Sequence, residues 1–305
     1  MVDLARVSRR TVLKYFSAIG IGTLFSGLLG KRMVETALSA AAKPAEPAPT
    51  QPGELLYPYP PAVPGAHFVM MIDVGACIGC RRCLYGCKME NNEPDEPSNI
   101  HWISLFELDN SQPVTEVDTI PPRSNIQGYT SSPTPGKWYL SFNCFHCDNP
   151  PCTKVCPTGA TYKSADGLVL IDYEKCIGCR YCVSACPYNA RSFNWWPPIY
   201  KPSRVNPITG QQEPLNPKVP LRYKGVNEKC TFCVHRIRAG NPVPRCVEVC
   251  PVRARHFGDA NDPNSDVSRL LVDVKTNRIR EDLNTQPQLY YFTRGVKWTK
   301  DGEKI

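Results

Sequence analysis

The sequence predicts an α+β fold of short elements strung between cysteine-bearing loops. It is organised as two small modules, one nested in the other, with long loop insertions. Three observations predict it. All 16 cysteines of the 305-residue chain fall into four groups of four, with none left over. Two of those groups share one extended pattern, so the chain holds an internal repeat. Finally, 31 prolines make up about a tenth of the chain, roughly double ordinary usage, which favours loops and extended segments over long helices.

Taken in order, residues 1–42 form a targeting segment. Ser8-Arg9-Arg10-Thr11-Val12-Leu13-Lys14 looks like a twin-arginine export signal, followed by a moderately apolar stretch from Tyr15 to Gly30. Small residues then lead to an A-x-A cleavage point at Ala40-Ala41-Ala42. The stretch is about 16 residues and glycine-rich, short of the ~20 that a spanning helix needs. A leader retained as an anchor is the alternative to a cleaved one. Residues 43–65 carry eight prolines in 23 positions and read as an extended linker.

Residues 66–143 hold the first motif and an insertion. His67 to Asp73 reads as a strand delivering Cys77-x2-Cys80-x2-Cys83-x3-Cys87. Residues 100–108 and 137–142 read as further strands, with a loop from Pro121 to Gly136 between them. Residues 144–190 hold two motifs around an apolar hairpin, Gly167 to Asp172. They are Cys144-x2-Cys147-x4-Cys152-x3-Cys156-Pro157 and Cys176-x2-Cys179-x2-Cys182-x3-Cys186-Pro187. A second proline-rich insertion, 191–229, opens on Trp195-Trp196, which are expected to pack against the cysteine module. Residues 230–262 carry Cys230-x2-Cys233-x12-Cys246-x3-Cys250-Pro251. The tail, 263–305, has one short amphipathic segment, Val267–Val274, and is expected to strap the module or to dock a partner.

The repeat is I-D-x3-C-I-G-C-R-x-C-x3-C, found at Ile72–Cys87 and Ile171–Cys186. Glycine in C-I-G-C suits a loop whose backbone curls around a metal centre. The first motif departs from the others in having Lys88, not proline, after its fourth cysteine. A C-x2-C-x2-C-x3-C-P run is the pattern of a two-cluster ferredoxin, in which the fourth cysteine ligates the neighbouring cluster. Each module therefore needs two motifs. Sequential pairing would bridge gaps of 56 and 43 residues, whereas nested pairing joins the second and third motifs across 19. Nesting gives four [4Fe-4S] sites. Cluster 1 takes Cys77, Cys80, Cys83 and Cys250; cluster 2 takes Cys144, Cys147, Cys152 and Cys186. Cluster 3 takes Cys176, Cys179, Cys182 and Cys156; cluster 4 takes Cys230, Cys233, Cys246 and Cys87. Structural zinc is the rival, yet it prefers two ligand pairs across a longer spacer.

Other chemistry finds no support. There is no C-x-x-C-H haem signature and no G-x-G-x-x-G fingerprint, and His146 is expected to pack rather than ligate. The formal charge of +8 counts thiols as neutral. A cubane on four thiolates carries about −2, so four bring the chain near neutrality, and the basic balance argues for no nucleic-acid partner.

Beyond the cysteines, P-T-G-A-T after Cys156, E-K-C-T-F-C-V-H-R-I at 228–237 and H-F-G-D at 256–259 carry a resemblance. The chain is similar, over about residues 66–295, to the four-cluster iron–sulfur subunits of molybdopterin oxidoreductases and related membrane complexes. The resemblance implies a non-catalytic electron-transfer subunit in a hetero-oligomeric complex. Its own leader, and a tail without a transmembrane helix, look most like exported subunits that pair with an NrfD-type polytopic quinone-interacting membrane protein. Among these it resembles the O subunits of DsrMKJOP-type sulfur-metabolism complexes, which implies an extracytoplasmic location and a multihaem cytochrome c as a further partner. The nitrite-reduction counterpart and the iron–sulfur subunit of a molybdopterin enzyme are the alternatives.

Overall fold

A computed structural model of the chain describes residues 59–96, 100–109 and 137–294, all within one compact unit spanning Leu55–Ile305. The leader, most of the linker, the loop expected at Pro121 to Gly136 and the end of the tail lie outside the described residues.

The first strand, β1 (Phe68–Asp73), is buried along its whole length, because both of its faces meet apolar partners. It is the middle of a three-stranded sheet, antiparallel to β10 (Arg255–Asp259) and parallel to β11 (Leu289–Phe292). Its period-two alternation sorts side chains into two cores. Phe68, Met70 and Ile72 join the main core with Leu289 and Tyr291. Val69 and Met71 join a smaller one with Tyr290, Phe292 and the helical residues Val267 and Leu270. The strands flanking β1 come from beyond the last cysteine motif and from the tail. Sequence position alone does not reveal that pairing.

The insertion after the first motif contributes β2 (Ser104–Asp109), antiparallel to β3 (Lys137–Phe142), which leads into Cys144. Between the second and third motifs lies the expected hairpin, β4 (Thr161–Lys163) with β5 (Val169–Ile171). Strand β6 (Ser192–Phe193) pairs with β9 (Asn227–Glu228), and β7 (Ser203–Val205) pairs with β8 (Gln212–Pro214). The second proline-rich insertion thus contains a hairpin of its own where the sequence suggested only loop.

Five of the six helices in the described residues follow cysteines or contain them. They are α1 (Arg82–Glu90), α2 (Pro151–Lys154), α3 (Tyr181–Ser184), α4 (Val234–Ile237) and α5 (Arg245–Glu248). The sixth, α6 (Asp266–Asp273), is the expected amphipathic segment and covers the outer face of the β1 sheet. Among the described residues no helix is long and apolar enough to cross a membrane.

One expectation changes. Trp195 and Trp196 are 54% and 66% exposed instead of packed on the module. The tail, by contrast, is part of the structure from Thr285 to Phe292. Thr285 and Gln286 accept bonds from Asn149 and Asp148, Gln288 bonds both Phe145 and Met70, and β11 completes the sheet. It straps the second motif to β1.

Candidate iron–sulfur centres

Each cysteine loop bends the same way at the same place. The residue before the second cysteine has positive φ in all four motifs: Gly79 at 68°, His146 at 42°, Gly178 at 72° and Phe232 at 55°. A left-handed residue here curls the backbone between the two flanking cysteines. Glycine does it without strain, whereas His146 and Phe232 must be held there by their surroundings. The two rings stack on each other with centroids 3.8 Å apart, and His146 bonds the Cys230 carbonyl at 3.0 Å through Nε2. Its Nδ1 accepts the Val169 N–H, so His146 packs and hydrogen-bonds, as expected. Arg81 and Arg180, next to the repeat's second cysteines, also share a left-handed conformation, at 58° and 64°.

The end of each loop is set by proline. Helices α2, α3 and α5 stop after four residues, just before Cys156-Pro157, Cys186-Pro187 and Cys250-Pro251. Proline lacks the N–H that would continue a helix and disfavours helical geometry in the residue before it. Lys88 imposes no such stop, so α1 runs nine residues, straight through Cys87 to Glu90.

These local geometries bring distant cysteines together. Cys77, Cys80, Cys83 and Cys250 line one cavity with Ile78, Gly79 and Arg255. Cys87 has Cys230, Cys233 and Cys246 as charge neighbours. Cys147 has Cys144, Cys186 and Cys152, and Cys182 has Cys176, Cys152 and Cys156. Cys179 lies on the Cys176–Cys182 loop. Cys230 also has Cys144 as a charge neighbour, and Asn143 Nδ2 lies 2.9 Å from the Cys144 carbonyl and 3.9 Å from Cys230 Sγ, where two of the four groups meet.

The donor set fits iron–sulfur centres. Burial pushes the Cys83 and Cys233 thiols up to about 12 and raises those of Cys77, Cys87, Cys182 and Cys186, and neighbouring cysteines add to the rise. Grouped thiols of this kind become thiolates only around a metal, which reverses that balance. Polar hydrogens already point at the sulfurs. Backbone N–H groups of Thr161 and Ala254 reach Cys156 and Cys250 at 3.3 Å, and that of Phe232 reaches Cys230 at 3.4 Å. Asn91 Nδ2 donates to Cys87 at 3.4 Å and Cys233 at 3.5 Å; Asn227 Nδ2 lies 3.8 Å from Cys176. Among the described residues no three potential ligands crowd closely enough to hold a single ion. Donors spread around a cavity suit a cluster that brings its own iron and sulfide.

The description "4Fe-4S dicluster domain" matches residues 137–201, and a second family of that description matches 76–160 and 175–254, together more than half of the chain. The chain belongs to the 4Fe-4S dicluster family. As a member with two such domains, it binds four [4Fe-4S] clusters. A selenate reductase subunit from Mesobacillus selenatarsenatis is 38% identical, over 74% of this chain and 72% of its own. The iron-sulfur cluster-binding subunit of menaquinone reductase from Nitratidesulfovibrio vulgaris is 35% identical, over 74% and 88%. The Hdr-like menaquinol oxidoreductase iron-sulfur subunit 1 of Archaeoglobus fulgidus is 35% identical, over 75% and 84%.

Sequence reasoning about this dicluster protein passed over its buried polar residues. Asn91, Asn143 and Asn227 direct amides at cysteine sulfurs, and Arg191, Lys229 and Arg255 are buried among cysteines. One signal was available: Cys186-Pro-x-x-Ala-Arg191 repeats as Cys250-Pro-x-x-Ala-Arg255.

Proposed function

We propose that this protein is the electron-transfer subunit of a membrane quinone-linked redox complex, passing single electrons along four [4Fe-4S] clusters and catalysing no reaction of its own. When bound, each cluster supplies one-electron chemistry; the chain holds the ligands, their spacing and their polar surroundings. The ligand sets we assign are Cys77, Cys80, Cys83 and Cys250; Cys144, Cys147, Cys152 and Cys186; Cys176, Cys179, Cys182 and Cys156; and Cys230, Cys233, Cys246 and Cys87. The observation that carries the reading is Asn143, whose amide lies 2.9 Å from the Cys144 carbonyl and 3.9 Å from Cys230 Sγ, which joins two pairs of sites into one series.

The order of that series is cluster 1, 4, 2, 3, with nested ferredoxin modules as its frame. The nesting is supported by β1 pairing with β10 across the whole inner stretch, and by β4 pairing with β5 inside it. A family match that runs 76–160 and 175–254 follows the motifs along the chain. Strand pairing across the inner stretch favours the nested arrangement over that linear one.

Two of the relatives are named for menaquinone or menaquinol chemistry, which supports a quinone-linked membrane partner of the NrfD type. The twin-arginine leader supports an extracytoplasmic position and export in the folded state, and the likeness to DsrMKJOP-type O subunits is what suggests an association with sulfur metabolism and a multihaem cytochrome c. The relative named for selenate reduction supports the second reading, an iron–sulfur subunit serving a molybdopterin enzyme. Composition of the complex purified from solubilised membranes separates the two. A polytopic membrane subunit without molybdenum is expected; a molybdenum-containing partner with neither that subunit nor a cytochrome would sink the first reading. Anaerobic preparations should contain about 16 iron atoms per chain.

A further inference from the structure

Among the described residues, the buried cations Arg255, Lys229 and Arg191 have no carboxylate within ion-pair distance. Two other buried guanidinium groups are paired in the ordinary way: Arg222 Nε lies 2.9 Å from Glu228, and Arg238 Nε lies 2.8 Å from Asp166. Arg255, Lys229 and Arg191 are equally buried, yet their strongest opposite-charge neighbours are all cysteines.

Their positions follow a rule. Arg255 lines the cavity of Cys77, Cys80, Cys83 and Cys250. Its Nη2 donates to Asn143 Oδ1 at 2.6 Å, and that asparagine's amide points on to Cys230 Sγ at 3.9 Å. Arg255 thus reaches from that cavity to Cys230 by way of Asn143, and Cys246, Cys83, Cys250 and Cys230 are its opposite-charge neighbours. Lys229 donates from Nζ to the Cys230 carbonyl at 2.7 Å, and Cys144, Cys230 and Cys152 are its opposite-charge neighbours. Arg191 donates from Nη1 to Thr161 Oγ1 at 3.2 Å, and Thr161 in turn donates its N–H to Cys156. Cys152, Cys182, Cys144 and Cys186 are the opposite-charge neighbours of Arg191. Arg255 Nε and Arg191 Nη2 are buried with no hydrogen-bond partner. An orphaned donor on a buried cation costs free energy unless an anion stands beside it.

We propose that Arg255, Lys229 and Arg191 each occupy one junction of the electron path and hold a fixed positive charge between two consecutive clusters. The inference rests on the cluster assignment above and adds what the cations do. Each reduction adds one electron, and no proton, to a site that is already negative. Two such sites side by side repel, so reducing one disfavours reducing the next. A cation between them lowers that penalty for both, and at low dielectric its effect is large. These are positioning residues; none is a ligand.

The test uses the full chain purified anaerobically in its complex. Neutral variants are Arg255→Met, Lys229→Met and Arg191→Met; charge-keeping ones are Arg255→Lys, Lys229→Arg and Arg191→Lys. EPR-monitored redox titration gives the potential of each cluster, and iron content reports loading. Each neutral variant should lower the potentials of two clusters at least tenfold in the reduction equilibrium, 59 mV for one electron, and leave two in place. Arg255→Met and Lys229→Met should share one affected cluster, as should Lys229→Met and Arg191→Met. Charge-keeping variants should restore the wild-type values.

Unchanged potentials at full iron content would overturn the proposal. So would equal shifts in the neutral and charge-keeping variants, or a uniform shift of all four clusters. Iron loss confined to the neutral variants would reassign the cations to holding the clusters. A wild type with no cluster signal would sink the electron-transfer reading itself, and this inference with it.

Discussion

At the scale of single residues, the C-x-x-C turns decide where thiolates point. Glycine in two of them was readable from the repeat, because no other residue takes a left-handed turn freely. His146 and Phe232 were not readable as its equivalents, since their strain is met by stacking on each other across two motifs that lie far apart in sequence. Gly178 provides a clean test. A Cβ there would stand 2.2 Å from the Gly225 carbonyl oxygen, a backbone atom that cannot swing aside. Gly210 has the same φ of 72° but open space around it. Gly210→Ala should cost only the conformational term, about 1–2 kcal/mol. Gly178→Ala should cost that and also displace the Cys176–Cys182 loop, so iron content should fall by about one cluster in four. Equal iron in the two variants would show that the close approach to Gly225 is unimportant.

At the scale of elements, the departure at Lys88 explains an insertion that composition described as loop. Because no proline follows Cys87, α1 continues to Glu90 and leaves C-terminal carbonyls without helical partners. The second proline-rich insertion supplies them with donors. Arg204 donates to the carbonyls of Glu93 at 3.0 Å, Met89 at 3.3 Å and Lys88 at 3.4 Å. Arg222 donates to those of Asn91 at 2.9 Å and Asn92 at 2.6 Å. Proline content announced a segment without long helices, which holds. It said nothing about two guanidinium groups reaching more than a hundred residues back along the chain. Charge-assisted bonds of this kind contribute about 1.5–3 kcal/mol each, with sharing among acceptors reducing the sum. Arg204→Met should therefore destabilise the protein by about 3 kcal/mol, read from guanidinium unfolding followed by loss of cluster absorbance. Arg222→Met should cost more, about 3–5 kcal/mol, because it strips Glu228 of its buried counter-ion. A smaller loss for Arg222→Met than for Arg204→Met would contradict this division of roles.

At the scale of the whole molecule, the cysteine spacing made the centres legible, but not the contacts that join inner and outer segments. Those depend on polar groups without a motif, such as Asp166 in the turn of the inner hairpin. Arg238, just past α4, grips its carboxylate with Nε and Nη2, both at 2.8 Å, and also donates to Ser164 and to the Pro60 carbonyl. Asp166 is fully buried and Arg238 nearly so, so the pair ties the inner hairpin to the fourth motif and to the start of the described chain. Burial alone would raise the Asp166 carboxyl, but the Arg238 bonds, Ser164 and the Val63 N–H hold it below the usual carboxylate range. A depressed folded pKa sets the sign. The contribution to stability is complete above the unfolded value of about 3.9 and is lost as pH falls from there through the folded pKa. Asp166→Asn keeps the shape and removes the charge, at a cost of about 3 kcal/mol near neutrality. The gap in unfolding midpoint between wild type and variant should stay constant from about pH 8 to 5 and narrow only below about pH 4. Clusters themselves are lost in acid from both proteins alike, so the difference between the two curves carries the information. A gap that closed already near pH 6, or one that never closed, would assign the coupling to another group.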